Sequence, residues 1–156
     1  MEKENYIILN SEQVENSQKI IEEIFWKNGN EKLYNKDKYL MFEYEFLDGC
    51  EIKGKEYANN RLIFEGEYLY GKRNGKGIEY YKDGKIKFGG EFLFGKRNGK
   101  GKEYVNNNLI FEGEYLDGKR NGKGKEFNEN NDLILGGEYL NGERWNGKEI
   151  IIQKKE

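Results

Sequence analysis

The chain contains one motif three times in succession. The motif reads FEGEYLxGKRNGKG from Phe64 and again from Phe111, and FGGEFLxGKRNGKG from Phe88. The starting positions 64, 88 and 111 give spacings of 24 and 23 residues. A nearly fixed period of this length indicates a row of stacked supersecondary units instead of one central core. The repeat therefore predicts a scaffold or binding surface, and it argues against an enzyme.

The composition fits a folded chain despite its polarity. The sequence has 156 residues, of which 36% are charged and 35% hydrophobic, a balance that can indicate disorder. Aromatic residues make up 15%, however, and each of them buries a large area on folding. Proline is absent, so none interrupts strand pairing. The net charge of −2 gives no global attraction to nucleic acid, and we expect no nucleic-acid partner.

Each repeat is predicted to form a β-hairpin. In the first full copy, Phe64 and Tyr68 alternate with glutamates, as in a strand with two different faces. Residues 71–75 (GKRNG) have turn chemistry, because Asn-Gly favours positive φ, and 76–80 are predicted to return as the second strand. We expect the strand glycine Gly66 to lie under an aromatic ring. Because strands lie ~4.8 Å apart, each hairpin extends the sheet by roughly 10 Å.

The predicted fold class is all-β, an elongated, single-layer, twisted antiparallel sheet of stacked β-hairpins. The repeat array is placed at residues 42–156. Its units are predicted at about 42–63, 64–87, 88–110, 111–134 and 135–152. Residues 1–41 are predicted to form an N-terminal cap, with a helix at 11–24 and a degenerate strand at 24–29.

The repeated motif resembles the MORN repeat (membrane occupation and recognition nexus). In the first full copy the matching positions are Gly66, Glu67, Tyr68, Gly71, Gly75 and Gly77. Asn74, Asn98 and Asn121 depart from the family pattern, in which histidine is usual at this position. The resemblance implies a single-layer array of β-hairpins that serves as a scaffold or dimerisation module, sometimes at a membrane or the cytoskeleton. Lipid binding is also associated with the family.

The residue types argue against catalysis and metal binding. Histidine and threonine are absent and serine occurs only at Ser11 and Ser17, so the sequence offers no Ser–His or Cys–His pair. The single cysteine, Cys50, has no partner for a disulfide, which fits a reducing compartment. Without histidine or paired cysteine ligands we expect neither a metal site nor a cofactor. No apolar run is long enough for a signal peptide or a membrane span, so we expect a cytoplasmic protein whose membrane or cytoskeletal contacts are peripheral.

The GKRNGKG segments provide the first candidate binding surface. If they lie in turns at one end of the hairpins, stacking aligns their basic residues along one edge. This predicted basic ridge comprises Lys72, Arg73, Lys76, Lys96, Arg97, Lys100, Lys119, Arg120 and Lys123. Such a ridge would attract anionic lipid headgroups with about 1 kcal/mol per basic residue. The alternative is that these charges only keep the edge soluble and prevent aggregation between sheets.

Aromatic side chains provide the second candidate surface. Rings that the sheet does not bury are predicted to form an apolar groove for a peptide or helix. This predicted aromatic groove comprises Tyr70, Tyr80, Tyr81, Phe94 and Tyr104. The alternative is that these rings stack only to hold the single layer together. The third candidate is an apolar C-terminal edge that would pair with a second copy to give a homodimer; it comprises Ile150, Ile151 and Ile152.

The sequence therefore predicts a non-enzymatic protein-interaction scaffold built from MORN-like repeats. The first alternative is a peripheral membrane adaptor that binds anionic lipids through basic turns. The second alternative is a carbohydrate-binding repeat protein, since residues 80–84 (YYKDG) are faintly similar to the repeats of choline- or glucan-binding surface proteins. The low tryptophan content, 2 residues, argues against that second alternative.

Overall fold

The computed structural model describes residues 5–8, 29–47 and 51–145. The strands are β1 (Asn5–Ile8), β2 (Gly29–Tyr34), β3 (Leu40–Leu47), β4 (Glu51–Ala58), β5 (Arg61–Leu69), β6 (Lys72–Tyr80), β7 (Ile86–Leu93), β8 (Lys96–Val105), β9 (Asn108–Leu116), β10 (Lys119–Phe127), β11 (Leu133–Leu140) and β12 (Glu143–Trp145). They form one sheet whose spatial order follows the sequence. β1 and β2 pair in parallel, and each later neighbour pairs antiparallel. The predicted all-β array of successive hairpins is confirmed.

The sheet begins before the predicted array. Strand β2 lies within the predicted cap of residues 1–41, yet it pairs antiparallel with β3 as a regular member of the sheet. The predicted helix at 11–24, most of the predicted strand at 24–29 and the predicted edge at 150–152 lie outside the described residues. Cys50 does so as well.

Two-residue turns connect the strands within each full repeat. In the first of them, Tyr70 and Gly71 have φ values of 50° and 71°, the pattern of a type I′ hairpin. The equivalent turns are 94–95, 117–118 and 141–142. They all lie along one long edge of the sheet, which we call the tip edge. The opposite edge, which we call the linker edge, carries the connections at 59–60, 81–85, 106–107 and 128–132.

The position of the turn corrects the sequence prediction. Only the first residue of the predicted turn at 71–75 belongs to it, because strand β6 already begins at Lys72. Gly75 has a φ of +80° and lies inside the strand, in a β-bulge. The positive φ that Asn-Gly favours is thus used to bend a strand and not to reverse the chain. Gly99 and Gly122, with φ of +70° and +90°, repeat the bulge in the next two units.

The core is a zigzag of aromatic rings on one face of the sheet, which we call the aromatic face. Phe64, Phe88 and Phe111 are each 0% exposed. Phe64 contacts Tyr68 of its own repeat and Phe92 of the next, with ring centroids 5.6 and 5.1 Å apart and nearly perpendicular planes. The same edge-to-face contacts continue through Phe88–Phe92, Phe88–Tyr115, Phe111–Tyr115 and Phe111–Tyr139. Such geometry adds to the energy of area burial, so each repeat is tied to its neighbour.

Paired glycines make room for these rings. Gly66 and Gly77 face each other across β5 and β6. A Cβ atom at Gly66 would lie 2.6 Å from the Gly77 Cα and 2.9 Å from the Phe64 Cζ, so no side chain fits there. The expectation that a ring covers the strand glycine is confirmed, with the second strand approaching closely as well.

Candidate interaction surfaces

Arginine side chains cover the aromatic ladder. The guanidinium of Arg73 lies 4.1 Å from the centre of the Phe64 ring. Its Nη2 is 2.7 Å from Glu56 Oε2, and its Nη1 is 2.9 Å from Glu79 Oε1. The other ring contacts of this kind are Arg97 over Phe88 at 4.2 Å and Arg120 over Phe111 at 4.0 Å. Each arginine therefore bridges glutamates of successive repeats and shields a buried ring from water.

Tyrosine hydroxyls belong to the same network. Tyr115 OH donates to Glu103 Oε1 at 2.7 Å, while Arg120 donates to both Glu103 oxygens at 3.2 and 2.8 Å. Burial raises the pKa of the Glu103 carboxyl, but the hydrogen bonds from Arg120 and Tyr115 outweigh it and hold the pKa below its usual value. Burial, and then the bond to Glu103, raise the pKa of Tyr115. The polar groups of the aromatic face thus stabilise the packing of the repeats.

Phe92 changes this network in one repeat. It takes the place of Tyr115 and Tyr139, so it has no hydroxyl to donate. The neighbouring carboxylate of Glu79 instead accepts hydrogen bonds from two arginines, at 2.9 Å from Arg73 Nη1 and 3.1 Å from Arg97 Nε. The carboxylate keeps its partners although the tyrosine is lost.

The predicted basic ridge does not lie on one surface. Lys72 and Arg73 are successive residues of a strand, so their side chains point to opposite faces. The Arg73, Arg97 and Arg120 side chains are 18–23% exposed and lie in the glutamate network described above. The lysines of the ridge lie on the other side of the sheet, which we call the charged face. The interpretation of GKRN as a turn had concealed this alternation.

The predicted aromatic groove is divided between the two long edges. Tyr70 and Phe94, each 61% exposed, lie in turns of the tip edge. Tyr80, Tyr81 and Tyr104 lie at the linker edge, about 25 Å away along the strands. Tyr81 OH donates to the carbonyl of Tyr104 at 3.0 Å, which joins neighbouring repeats. The five rings therefore do not form one groove.

A groove that the sequence interpretation missed follows the charged face. Two rows of side chains run along it. Lys and Glu alternate in the first row, whose register pairs are Lys53–Glu67, Lys76–Glu91, Lys100–Glu114 and Lys123–Glu138. The pairs of the second row are Lys55–Glu65, Ile78–Gly89, Lys102–Glu112 and Lys125–Gly136. Glycine backbone lies between the rows. Open cavities of about 530 Å³ from β2 to β6, 450 Å³ from β5 to β8 and 460 Å³ from β9 to β11 follow this line.

Two glutamates of the first row, Glu67 and Glu114, are held against the sheet. Glu67 Oε2 accepts the backbone N–H of Lys76 at 3.2 Å, and Glu114 Oε2 accepts that of Lys123 at 2.8 Å. These carboxylates therefore cap the β-bulges. The lysines Lys76, Lys100 and Lys123 are exposed and form no ion pair with a described residue. The period of two within GKGKE could have indicated this lysine row, had the segment been taken as strand.

The tip edge carries apolar as well as basic side chains. Leu93, Leu116 and Leu140 are 46%, 53% and 38% exposed at the strand ends. Exposed lysines lie opposite the first two of them, at Lys96 and Lys119. With Tyr70 and Phe94 in the turns, this edge combines apolar protrusions with positive charge.

Two kinds of feature are absent from the described part of the chain. It contains no group of three or more Cys, Asp or Glu side chains arranged to hold a metal ion. Residues 5–8, 29–47 and 51–145 also include no helix that could serve as a membrane span.

Comparisons with known proteins place the repeats in a family. A family model described as MORN repeat matches residues 64–86, 90–109 and 111–132. A search of curated proteins found no match. Among solved structures, a crystal structure of a mutant of S. aureus TarM in complex with fondaparinux, alpha-GlcNAc-glycerol and UDP aligns with a TM-score of 0.34 and 12% identity. That alignment covers 78% of this chain and 24% of the TarM chain, so this chain spans about a quarter of its length.

Proposed function

We propose that this chain, which carries MORN repeats at residues 64–86, 90–109 and 111–132, is a non-catalytic scaffold whose charged face binds a protein partner. The family is generally one of non-enzymatic repeat modules. The proposal places the binding site in the groove between the two rows of side chains.

The observation that carries the proposal is the different use of the two faces. On the aromatic face, rings, arginines and carboxylates contact one another in every full repeat, and the rings are 0–4% exposed. On the charged face, the lysines of the first row are exposed and have no ion-pair partner among the described residues, and the groove is open along several repeats. A partner can therefore bind there without disturbing the core.

Site-specific photo-crosslinking tests this proposal. A photoreactive amino acid replaces either Lys102, on the charged face, or Glu129, an exposed residue of the linker edge. We expect a discrete protein adduct from position 102 in cells of the natural source, and no such adduct from position 129. Identical adducts at both positions, or none from 102, would refute binding through the charged face.

A second candidate function is peripheral membrane binding through the tip edge. The specific observation is that Leu93, Leu116 and Phe94 project beside Lys96 and Lys119. Apolar side chains that enter the interface and lysines that meet anionic headgroups act together in membrane association.

Liposome flotation distinguishes this second candidate. Vesicles of neutral lipid with and without anionic lipid are compared at physiological salt. Flotation that requires anionic lipid and is lost in a Lys72→Gln/Lys96→Gln/Lys119→Gln variant would support tip-edge binding. The arginines are left unchanged because they hold the fold. Absence of flotation with the wild-type chain would contradict this function.

A further inference from the structure

Three exposed lysines recur in the first row of the charged face, where they alternate with glutamates. Lys76, Lys100 and Lys123 occupy the same position in successive repeats, and each lies opposite a glutamate of the next strand. The carboxylates of Glu67 and Glu114 are bent onto the backbone of the bulges. The side chains of Lys76, Lys100 and Lys123 form no ion pair with a described residue, so they are available to acidic groups from outside.

The spacing of these lysines is set by the sheet. Successive members are two strands apart, and strands lie ~4.8 Å apart, so the spacing is ~9.6 Å. A polyproline II segment advances about 3.1 Å per residue with three residues per turn. Every third side chain of such a segment therefore points the same way and recurs after ~9.3 Å.

The width of the groove also favours an extended segment as the ligand. Its walls are the side chains of alternate residues on the same strands, such as Lys76 and Ile78, and these lie about 6.7 Å apart. An α-helix with its side chains has a diameter of about 10–12 Å. A helix is therefore wider than the spacing of the rows, whereas an extended backbone, which occupies ~4.8 Å in a sheet, is narrower than this spacing.

We propose that the groove binds an extended acidic segment of a protein partner, with a carboxylate at every third residue in polyproline II conformation. The carboxylates contact Lys76, Lys100 and Lys123, and the backbone of the segment lies over the glycine floor. This inference rests on the proposed function, because it names the chemistry of the partner at the same face.

Fluorescence anisotropy with synthetic peptides tests the proposal. The probe is a fluorescein-labelled peptide of repeated Glu-Pro-Ala units. A control peptide has the same composition with its glutamates side by side, and a second control has Gln in place of Glu. We expect the spaced peptide to bind more tightly than either control, with an affinity that falls as salt rises.

Matched variants locate the binding site. The Lys76→Gln/Lys100→Gln/Lys123→Gln variant is expected to bind the spaced peptide about tenfold more weakly, which corresponds to ~1.4 kcal/mol. Exposed ion pairs are individually weak, so three are removed together. The control variant, Lys72→Gln/Lys96→Gln/Lys119→Gln, changes the net charge equally at the tip edge. Thermal unfolding of both variants verifies the fold.

Each opposite result overturns a defined part of the proposal. No binding of the spaced peptide to the wild-type chain would refute an acidic ligand. Equal binding of the clustered peptide would refute the match in spacing, and equal weakening in the tip-edge variant would show only general charge attraction. If the spaced peptide does not bind while the photoreactive residue at position 102 still gives its specific adduct, the scaffold function is supported and the acidic partner class is wrong.

Discussion

Arg97 offers the sharpest test of the packing argument. Its guanidinium lies 4.2 Å from the centre of the Phe88 ring and donates to Glu79 Oε2 from Nε at 3.1 Å. Its Nη1 lies 3.7 Å from Glu103 Oε1. The Arg97 side chain is 18% exposed, so water replaces little of what is lost. We predict that Arg97→Met lowers the free energy of unfolding, since methionine has a similar length and no charge.

The magnitude follows from the contacts that are lost. A hydrogen bond to a charged group contributes ~1.5–3 kcal/mol, and a partly buried cation–π contact ~0.5–2 kcal/mol. Glu79 keeps Arg73, and Glu103 keeps Arg120, so neither carboxylate is left unpaired. The loss is therefore expected toward the lower end of the sum, at about 2–3 kcal/mol.

The neighbouring residue provides the control. Lys96 has the same charge, and its ion pair with Asp117 at 3.1 Å is well exposed, so Lys96→Met is expected to cost less than ~1 kcal/mol. Both variants are unfolded in urea and followed by far-UV circular dichroism, with midpoints compared at fixed pH. A similar midpoint shift in the two variants would refute the assignment of GKRN to a strand with two different faces.

Three further predictions concern the turns, the glycines and pH. Phe94 has a φ of 47° in a turn, where a bulky residue costs roughly 1–2 kcal/mol, so Phe94→Asn should raise the thermal midpoint; an unchanged or lower midpoint contradicts this. Gly77→Ala should cost about 1–3 kcal/mol by overpacking, whereas Gly89→Ala meets open space and should be neutral or stabilising in the same urea assay. The lowered pKa of Glu103 means that its contribution, present above pH 4.5, is lost as pH falls further. The pKa of Tyr139 is raised by burial and by its bond to Glu126 to about 12, so its contribution is lost as pH rises from 10 toward 12. A thermal midpoint that is flat across both ranges would contradict these linkages.

The repeat frame could be predicted because its signals are local and periodic. Alternation of aromatic residues and glutamates identified the first strand. The role of the strand glycines was also predictable, because an aromatic ring such as Phe64 needs room above the backbone. The start of the second strand was predicted less accurately. Asn74-Gly75 is typical of a hairpin turn, but a bulge needs the same positive φ, and sequence chemistry alone does not distinguish the two.

That single misplacement explains the error at the candidate site. A turn at residues 71–75 would place Lys72 and Arg73 on one surface. Placed on a strand, they lie on opposite faces, and Arg73 joins the core network while the lysines face the groove. The prediction of one aromatic groove was wrong for a related reason. Tyr70 and Tyr80 lie at opposite ends of the hairpin, and no local sequence pattern indicates how far apart they are.

The repeats differ less on the aromatic face than in the second row of the charged face. On the aromatic face, Phe64, Phe88 and Phe111 occupy one repeated position, and Arg73, Arg97 and Arg120 occupy another. The second ring of the ladder is a tyrosine except at Phe92. The second row of the charged face varies, because the uncharged pair Ile78–Gly89 stands where the next repeat has Lys102–Glu112. Packing between successive repeats therefore restricts the residues of the ladder more than those of the second row.

This variation has a use if a segment binds along the array. Identical rows of charges would let an acidic segment shift by one repeat at no cost, so that no single alignment is preferred. The uncharged pair Ile78–Gly89 in the second row removes that equivalence. A segment shifted by one repeat would place a charged group against this pair. Specificity of this kind is a difference between alignments and needs an unfavourable contact in the wrong one. The departure of one repeat from its neighbours is therefore what would fix the register of a partner.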